Sequence, residues 1–442
     1  MVELAHRLAA GETIQQVRDL RGTALVRKRI PQGWRVLDSS SIDIVGPVAA
    51  PENPYAETTD TRCATVASDG NASLAEPVTL VGPAGAGSED TVIRIPAFEQ
   101  VREDAAIYAH ASRVLHKETN PYNARPLVQA HGDRELWLNP PPIPLTTEEL
   151  DGVFELPYTR LPHSGYGDAK IPAYEMIRHS VNIMRGCFGG CTFCSITEHE
   201  GRVIQSRSEE SVLREVRALR RMDGFSGVIT DVGGPTANMY KMRCKDERIE
   251  KACRRLSCVH PGVCENLVTD HDPLVQLLKK VRHEKGVKKA FIASGVRYDL
   301  AELSPEFVDV LAEHHTGGQL SVAPEHVDED VLDKMKKPGA ESYERFAEMF
   351  ACASKEAGKD QHLVPYYISG HPGSTLHSMI DLALYLKKRG LRPRQVQDFI
   401  PTPMSMATSM YVTGLDPFTQ EPVYVAKDLR EKRMQKALLQ YW

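Results

Sequence analysis

The stretch HSVNIMRGCFGGCTFC, residues 179–194, joins an apolar run to three closely spaced cysteines. Its first half reads as a buried β-strand, because valine, isoleucine and methionine dominate it and a glycine follows. The cysteines come next, on the loop that leaves this strand, with three and then two residues between them. A parallel strand with reactive side chains at its carboxyl end is typical of α/β enzymes, whose chemistry lies at that edge of the sheet.

The alternation of strands and helices continues beyond this loop. Five further apolar runs, separated by amphipathic helical patterns, begin at residues 226, 288, 317, 361 and 392. These runs are apolar throughout rather than alternating, which predicts a parallel sheet covered by helices. Six such units over about 230 residues favour a partial (β/α)6, TIM-like barrel in the α/β class. A doubly wound open sheet is the alternative.

The chain is expected to contain more than the barrel. It opens directly on a helical pattern with no capping residue before it, which suggests an incomplete N-terminal α/β segment. A proline-rich run, WLNPPPIPLTTEEL, is typical of an extended linker. We predict a remnant of an N-terminal α/β domain at 1–130, a linker at 131–177, the barrel at 178–405 with a cysteine-rich insertion at 240–270, and a C-terminal extension at 406–442.

The net charge and the apolar runs of the sequence limit the partners and the location that we expect for this protein. The net charge of −5 gives no global nucleic-acid footprint, so nucleic acid is not indicated as a partner. No run approaches the roughly 18 apolar residues of a membrane span, and the first residues do not resemble a signal peptide. We therefore expect a cytoplasmic protein with no membrane partner.

The nine cysteines are grouped rather than spread. Three lie at 187–194, four at 244–264, and Cys63 and Cys352 stand alone. In a chain with no export signal, such clusters indicate metal ligands rather than disulfides. The two isolated cysteines are interpreted as buried small hydrophobic residues.

Three thiolates on one loop suit an iron–sulfur cluster or zinc. A structural zinc ion takes four protein ligands, and the nearest candidate for a fourth, His199, does not stand at the spacing of a zinc knuckle. Cysteine normally fills all four positions of a cubane cluster, so three cysteines would leave one iron open for chemistry. An open cluster is favoured; a zinc site and unligated thiols are the alternatives.

The motif CFGGCTFC, with Phe193 directly before the last cysteine, resembles the signature of the radical S-adenosylmethionine superfamily. Longer motifs resemble the YgiQ family within it: NPPPIPLTTEEL, SVNIMRGCFGGCTFCSITEHEGR, QSRSEES, GGPTANMY, ASGVRYDL, APEH and ALLQYW. The resemblance covers nearly the whole chain. Members of that family look longer at both ends, so this chain looks N- and C-terminally truncated.

The resemblance implies a mechanism and its cofactors. Cys187, Cys191 and Cys194 would hold a 4Fe–4S cluster whose open iron binds the amino and carboxylate groups of S-adenosylmethionine. An electron, from a donor such as flavodoxin or ferredoxin, would then cleave this cofactor to a 5′-deoxyadenosyl radical that acts on an unidentified substrate. The alternative from another class is a non-catalytic iron–sulfur or zinc RNA-binding module, against which the acidic net charge speaks.

The resemblance also implies site residues at the other strand ends, each with a structural alternative. A glycine-rich turn would contact the amino group of S-adenosylmethionine. An arginine at the end of another strand would contact its carboxylate or ribose, and a later strand would pack beside its adenine. The structural alternatives are a tight turn, a salt bridge, a buried Glu–His pair and a hydrogen-bonded histidine. The cofactor-binding candidates are Phe193, Gly233, Gly234, Thr236, Ser294, Arg297, Ser369 and Gly370, and the catalytic candidates are Glu325, His326 and His371.

Two further groups of residues stand at the predicted active edge. Cys244, Cys253, Cys258 and Cys264 are separated by eight, four and five residues, and they could hold zinc, an auxiliary iron–sulfur cluster or no metal. The run KMKKPG, Lys334–Gly339, could receive an anion. Its three lysines are interpreted as an exposed, solvated face.

Overall fold

The computed structural model describes residues 2–43, 91–393 and 396–440. Cys63 lies outside the described residues. The chain divides into two compact units. The first unit contains Met1–Ile143, Asp246–Leu256 and Thr408–Val423, and the second contains Pro144–Lys245, Ser257–Ala407 and Tyr424–Trp442.

The first unit is built on a five-stranded sheet in the order β1-β5-β4-β3-β2. Strands β2, β3 and β4 run parallel, whereas β4, β5 and β1 pair antiparallel. Its apolar side chains, among them Ile93, Val114 and Trp137, are buried. The elements are α1 Val2–Ala9, β1 Ala24–Arg27, β2 Arg35–Asp38, β3 Thr91–Arg94, α2 Phe98–Glu103, α3 Ala105–Lys117, β4 Leu127–His131 and β5 Arg134–Leu138.

The segment 131–177, predicted to be an extended linker, contains regular structure. Besides β5 it carries α4 Thr147–Phe154 and α5 Pro172–Ile177. A capping box begins α4: the Thr146 side chain accepts a hydrogen bond from the Glu149 amide, and the Glu149 carboxylate accepts one from the Thr146 amide. Helix α5 begins with a proline, which has no amide hydrogen. At this position an amide would have no partner within the helix, so the proline costs no hydrogen bond.

All six strands predicted from the apolar runs are present in the second unit, where they form an α/β fold. The first two strands are each interrupted, so that each appears as two short strands. The elements are β6 Ser180–Asn182, β7 Met184–Arg185, α6 Ile196–Glu200, β8 Gln205–Ser206, α7 Glu209–Leu219, β9 Val228–Ile229, β10 Asp231–Gly233, α8 Glu247–Ala252 (in the first unit), α9 Asp272–His283, β11 Lys289–Ala290, α10 Tyr298–Ala301, α11 Pro305–Val310, β12 Gln319–Glu325, α12 Glu329–Met335, α13 Ala340–Glu356, β13 His362–Ser369, α14 Leu376–Lys388, β14 Val396–Asp398, α15 Met406–Thr413 (in the first unit from Thr408 on) and α16 Leu429–Leu439.

Parallel pairing in the second unit follows chain order. Strand β6 pairs with β10 and β9 with β11, and β12, β13 and β14 form a three-stranded parallel sheet. Parallel strands have their carboxyl ends at one edge, so the predicted site residues at those ends share that edge. A large apolar core built from these strands and from helices such as α7 and α9 holds the edge in place. Among the described residues, no helix is long and apolar enough to cross a membrane.

Two interpretations from the sequence were wrong. Cys352 is exposed rather than buried. Helix α13 turns Tyr343, Phe346 and Phe350 inward, and Cys352 does not share their buried face. In the lysine run, Lys337 is buried, with 8% of its surface exposed. Lys336, just before it, caps α12 in the left-handed conformation, and this reverses the chain direction.

Candidate active site

The cysteine loop begins at a turn that only glycine can form. Gly186 has a φ of +88°, and a Cβ atom there would lie 2.5 Å from the Val203 carbonyl oxygen. The next amide, that of Cys187, donates to the Gly201 carbonyl at 3.0 Å. Contacts with residues 201 and 203 therefore fix the backbone conformation in which the loop leaves β7.

The three thiols are partly buried and face groups from other strand ends. The Cys187 sulfur accepts a hydrogen bond from the Gly189 amide at 3.4 Å and lies 3.9 Å from the Thr236 hydroxyl oxygen. Arg297 Nη1 lies 3.6 Å from the Cys191 sulfur. The structure thus brings the cysteine loop together with residues that follow the second and third strands.

The ionisation of these thiols fits a cluster ligand. Burial raises the pKa of Cys187 and raises that of Cys194 to about 12, so both thiols would stay protonated unless a metal bound the thiolates. Among the residues that the structure describes, no three His, Cys, Asp or Glu side chains are grouped as ligands of one metal ion. A structural zinc ion takes four protein ligands, whereas a cubane cluster takes one thiolate per iron, so a set of three cysteines suits a cluster with one open iron.

Arg297 has one fixed and one open side. Its Nε and Nη2 atoms donate to Asp299 at 2.8 and 2.5 Å. Burial opposes the charge of the guanidinium, but the ion pair with Asp299 raises its pKa well above the usual value. Asn238, from the turn after the second strand, accepts from the Arg297 amide at 2.8 Å. The salt bridge is present, and Nη1 still points to the cysteines.

Neighbouring atoms explain both glycines of the VGGPT turn. A Cβ atom on Gly233 would lie 1.8 Å from the Ser294 hydroxyl oxygen, and one on Gly234 would lie 2.9 Å from the Met184 carbonyl oxygen. Ser294 in turn donates to Asp231 at 3.0 Å. Close packing of strand ends therefore requires these glycines whether or not a ligand is bound.

Glu325, at the end of β12, has a buried carboxylate with unused bonding capacity. Its Oε2 atom is buried and has no hydrogen-bond partner. Burial raises its pKa to about 7, against the opposing charges of Lys337 and Arg297. A buried polar atom without a partner is costly, and a ligand with an amine or hydroxyl would supply the missing donor.

Lys337 is a candidate that the sequence did not reveal. Its ammonium lies 5.4 Å from the centre of the Tyr298 ring. The charge of Lys337 lowers the pKa of Glu325, which places a buried cation on the same side of the site as the unpartnered carboxylate. Its inward position follows from the left-handed backbone of Lys336 and from the distant groups that Lys337 meets, and the sequence pattern shows neither of these.

Both catalytic histidine candidates are fully buried and bonded to protein groups. His326 Nδ1 accepts from the Asp328 amide at 3.0 Å. His371 Nδ1 lies 2.7 Å from the Pro372 carbonyl oxygen, and Nε2 lies 3.4 Å from the hydroxyl of Thr192 on the cysteine loop. Burial lowers both pKa values to about 3, so both rings are neutral at physiological pH.

The remaining candidates also have protein partners. The rings of Phe193 and His371 meet edge to face at 5.9 Å between centroids. Ser369 donates to Asp398 at 2.8 Å, and the Gly370 amide donates to Gln435 at 2.9 Å. In the second cysteine group, three members lie in the second unit and Cys253 lies in the first.

Three family models match consecutive parts of the chain. The model described as radical SAM N-terminal matches residues 1–180, and that of the radical SAM superfamily matches residues 181–386. A domain of unknown function, DUF3362, matches residues 394–442. The second match contains the three cysteines and all the candidate strand ends up to His371.

Curated relatives match along the whole chain. A UPF0313 protein of Pseudomonas putida is 54% identical over 451 residues, covering 100% of this chain and 59% of its own length. The UPF0313 protein YgiQ of Escherichia coli strain K12 is 53% identical over 450 residues, covering 100% of this chain and 60% of its own length. The chain thus spans about 60% of the length of these relatives.

Among solved structures, the likeness is distant. The radical S-adenosylmethionine methyltransferase TsrM of Kitasatospora setae, with cobalamin and a [4Fe-4S] cluster bound, has a TM-score of 0.38 at 14% identity, covering 72% of this chain and 58% of TsrM. The same protein with tryptophan and a SAM analogue has a TM-score of 0.34 at 15% identity, covering 51% and 37%.

Proposed function

We propose that this chain, like the relatives it matches, is a YgiQ-family radical S-adenosylmethionine protein that reductively cleaves S-adenosylmethionine to act on an unidentified substrate. Cys187, Cys191 and Cys194 would hold a 4Fe–4S cluster. The observation that carries the proposal is the meeting of this trio with Arg297, whose Nη1 lies 3.6 Å from the Cys191 sulfur. When bound, the cofactors supply a 5′-deoxyadenosyl radical that removes hydrogen from the substrate.

The charged residues at this edge suit the polar groups of S-adenosylmethionine. Arg297 keeps Nη1 directed at the trio because Asp299 holds its other nitrogens. A guanidinium in this position is a good partner for a carboxylate. Glu325 has a free buried oxygen for an ammonium or hydroxyl group, and Lys337 adds a second cation.

The remaining candidates are proposed to shape the site. The main chain of Gly233 and Gly234, together with Thr236, lets a ligand approach the strand ends closely. His326 and His371, neutral and bonded on both sides, hold the loops in place and keep water out. Glu325 can take up or release a proton near neutral pH. Phe193, whose ring meets that of His371, is proposed to line the site, as are Ser369 and Gly370 at the end of β13.

The strand order supports a partial (β/α)6 barrel as the finer description of the fold. Parallel pairs link the first three strands and, separately, the last three, always between neighbours in sequence. Flavodoxin or ferredoxin is proposed as the electron donor, since a low-potential electron is required.

Anaerobic reconstitution of the full chain tests the proposal. We expect 5′-deoxyadenosine to form from S-adenosylmethionine under dithionite. Cys191→Ser should reduce this product to background and lower bound iron and sulfide by about four atoms each. Cys352→Ser, at an exposed cysteine, is the matched control and should behave as the parent. Product formation that survives Cys191→Ser would contradict the proposal.

A further inference from the structure

Two consecutive residues of the cysteine-rich insertion are bonded to two consecutive carbonyls of the cysteine loop. The Cys258 amide donates to the Phe188 carbonyl at 3.0 Å, and the Ser257 hydroxyl donates to the Gly189 carbonyl at 2.7 Å. Both acceptors lie between the first and second cysteines of the loop. All four residues belong to the second unit, so these contacts are internal to it. The insertion therefore contacts the loop directly beside Cys187.

One of the bonded peptide groups also reaches a sulfur. The Phe188 carbonyl and the Gly189 amide belong to the same planar peptide group. That amide donates to the Cys187 sulfur at 3.4 Å. A peptide whose carbonyl accepts a hydrogen bond is polarised, and its N–H becomes a stronger donor. The insertion thus acts on the Cys187 sulfur through one intervening peptide.

The contacts on both sides of Gly189 hold this amide in its direction. Glycine has no Cβ atom, so its backbone is free to turn unless its neighbours restrict it. The Cys258 amide binds the carbonyl before Gly189, and the Ser257 hydroxyl binds the carbonyl of Gly189 itself. Loss of either bond would allow the amide to turn away from the sulfur.

Ser257 is itself held in place. It is buried, with 4% of its surface exposed, and its hydroxyl oxygen also accepts from the Val259 amide at 3.1 Å. Cys258 is partly buried and packs against the same apolar core as Cys187. Because the Ser257 hydroxyl both donates and accepts, its protein partners set the direction in which it donates.

These contacts bear on the electron affinity of a cluster at the cysteine loop. Hydrogen bonds to the cysteine sulfurs are among the features that set the reduction potential of an iron–sulfur cluster. Reduction adds one electron and makes the thiolates more negative, so a donated hydrogen bond stabilises the reduced form more than the oxidised form. We propose that Ser257 is a positioning residue that raises the reduction potential of the cluster by keeping the Gly189 amide on the Cys187 sulfur. This inference rests on the proposed function, in which Cys187 is a cluster ligand.

The test is a redox titration of the anaerobically reconstituted full chain, followed by electron paramagnetic resonance of the reduced cluster. Ser257→Ala should make the potential more negative and lower the one-electron reduction constant about tenfold, which equals about 59 mV. Ser257→Thr keeps the hydroxyl and should restore most of this shift. Ser354→Ala is the matched control and should titrate as the parent, because Ser354 is a buried serine on α13 whose hydroxyl donates to the Lys359 carbonyl at 3.1 Å.

An unchanged potential in Ser257→Ala, with iron and sulfide at the parent's level, overturns the inference, since a merely structural serine changes stability alone. An equal shift in Ser354→Ala overturns it as well. If Ser257→Ala does not fold or loses the cluster, Ser257→Cys decides, because a thiol is a weaker donor at the same position. A negative shift there supports the inference, and no shift overturns it. The proposed function fails differently: the parent itself would then bind no cluster, and this inference would fall with it.

Discussion

At the residue scale, Glu325 combines features that are each unfavourable to folding. Its φ of +67° lies in the left-handed region, which costs a residue with a side chain about 1 kcal/mol or more. It is also buried, with one carboxylate oxygen that lacks a partner. Such a combination persists where the surrounding structure imposes it, and it is often found at functional sites.

The titration of Glu325 gives a stability prediction. Its pKa rises from 4.5 to about 7 on folding, so its contribution is present below pH 4.5 and is lost as the pH rises through 7. The shift corresponds to a loss on the order of 3 kcal/mol. Glu325→Gln should therefore be more stable than the parent at pH 8, with a flatter pH dependence, in urea denaturation of the metal-free protein. Glu341→Gln, on a side chain that is 93% exposed, is the control. Parallel stability curves for Glu325→Gln and the parent would contradict the prediction.

Gly233 gives a second prediction, on packing. Alanine there would place Cβ 1.8 Å from the Ser294 hydroxyl oxygen and should destabilise the protein by about 1–3 kcal/mol. Ser294→Ala in the same chain removes that oxygen and should restore most of the loss. Gly295→Ala meets no atom within 4 Å and serves as the control. If the losses in unfolding free energy of Gly233→Ala and Ser294→Ala simply add in the double variant, the clash with Ser294 is not the cause of the destabilisation.

At the scale of elements, loops and strand ends are held to one another by a few polar contacts. The hydroxyl of Thr192, which lies between Cys191 and Cys194 in the sequence, is 2.7 Å from the Lys334 carbonyl oxygen and 3.4 Å from His371 Nε2. The Ala407 amide donates to the Thr192 carbonyl at 2.9 Å. The cysteine loop is thus bonded to the last turn of α12, to the segment that follows β13 and to the first turn of α15.

Loss of these contacts should loosen the cluster. Thr192→Val and His371→Ala each remove a hydrogen bond worth about 1 kcal/mol, so we expect roughly fivefold faster loss of iron to a chelator. The double variant should lose iron no faster than the worse single one, because both changes break the same contact. His377→Ala, on a side chain that is 88% exposed, is the control. Unchanged iron loss in both single variants would rule out this positioning role.

The same scale shows what could be predicted from sequence. Periodicity located all six strands, since buried parallel strands are short apolar runs. Spacing alone identified Cys187, Cys191 and Cys194 as a set. The inward turn of Lys337 and the empty bonding position on Glu325 were not predictable, because both depend on neighbours distant in the chain. The outward position of Cys352 was recoverable in principle, from the apolar face of α13.

At the scale of the whole molecule, the two units are interleaved along the chain. Asp246–Leu256 and Thr408–Val423 belong to the first unit although the chain around them belongs to the second. The prediction from sequence divided the chain into four successive segments. Sequence patterns within one segment do not show that a later stretch of chain packs into an earlier unit. Long-range hydrogen bonds, such as that from Arg113 to the Phe418 carbonyl at 2.9 Å, connect the late stretch 408–423 to the early part of the first unit.

The interleaving has a consequence for biosynthesis. Since the first unit includes Thr408–Val423, a ribosome must translate residue 423 before that unit has all its parts. Its early strands are made first and therefore remain without those parts while the intervening residues of the second unit are translated. An N-terminal fragment that ends near residue 143 would lack Arg254, one of the partners of Glu118, and the Cys253 carbonyl that accepts from Asn120. The first unit therefore stays incomplete until residue 423 has been made, and during that interval its early strands are exposed to chaperones.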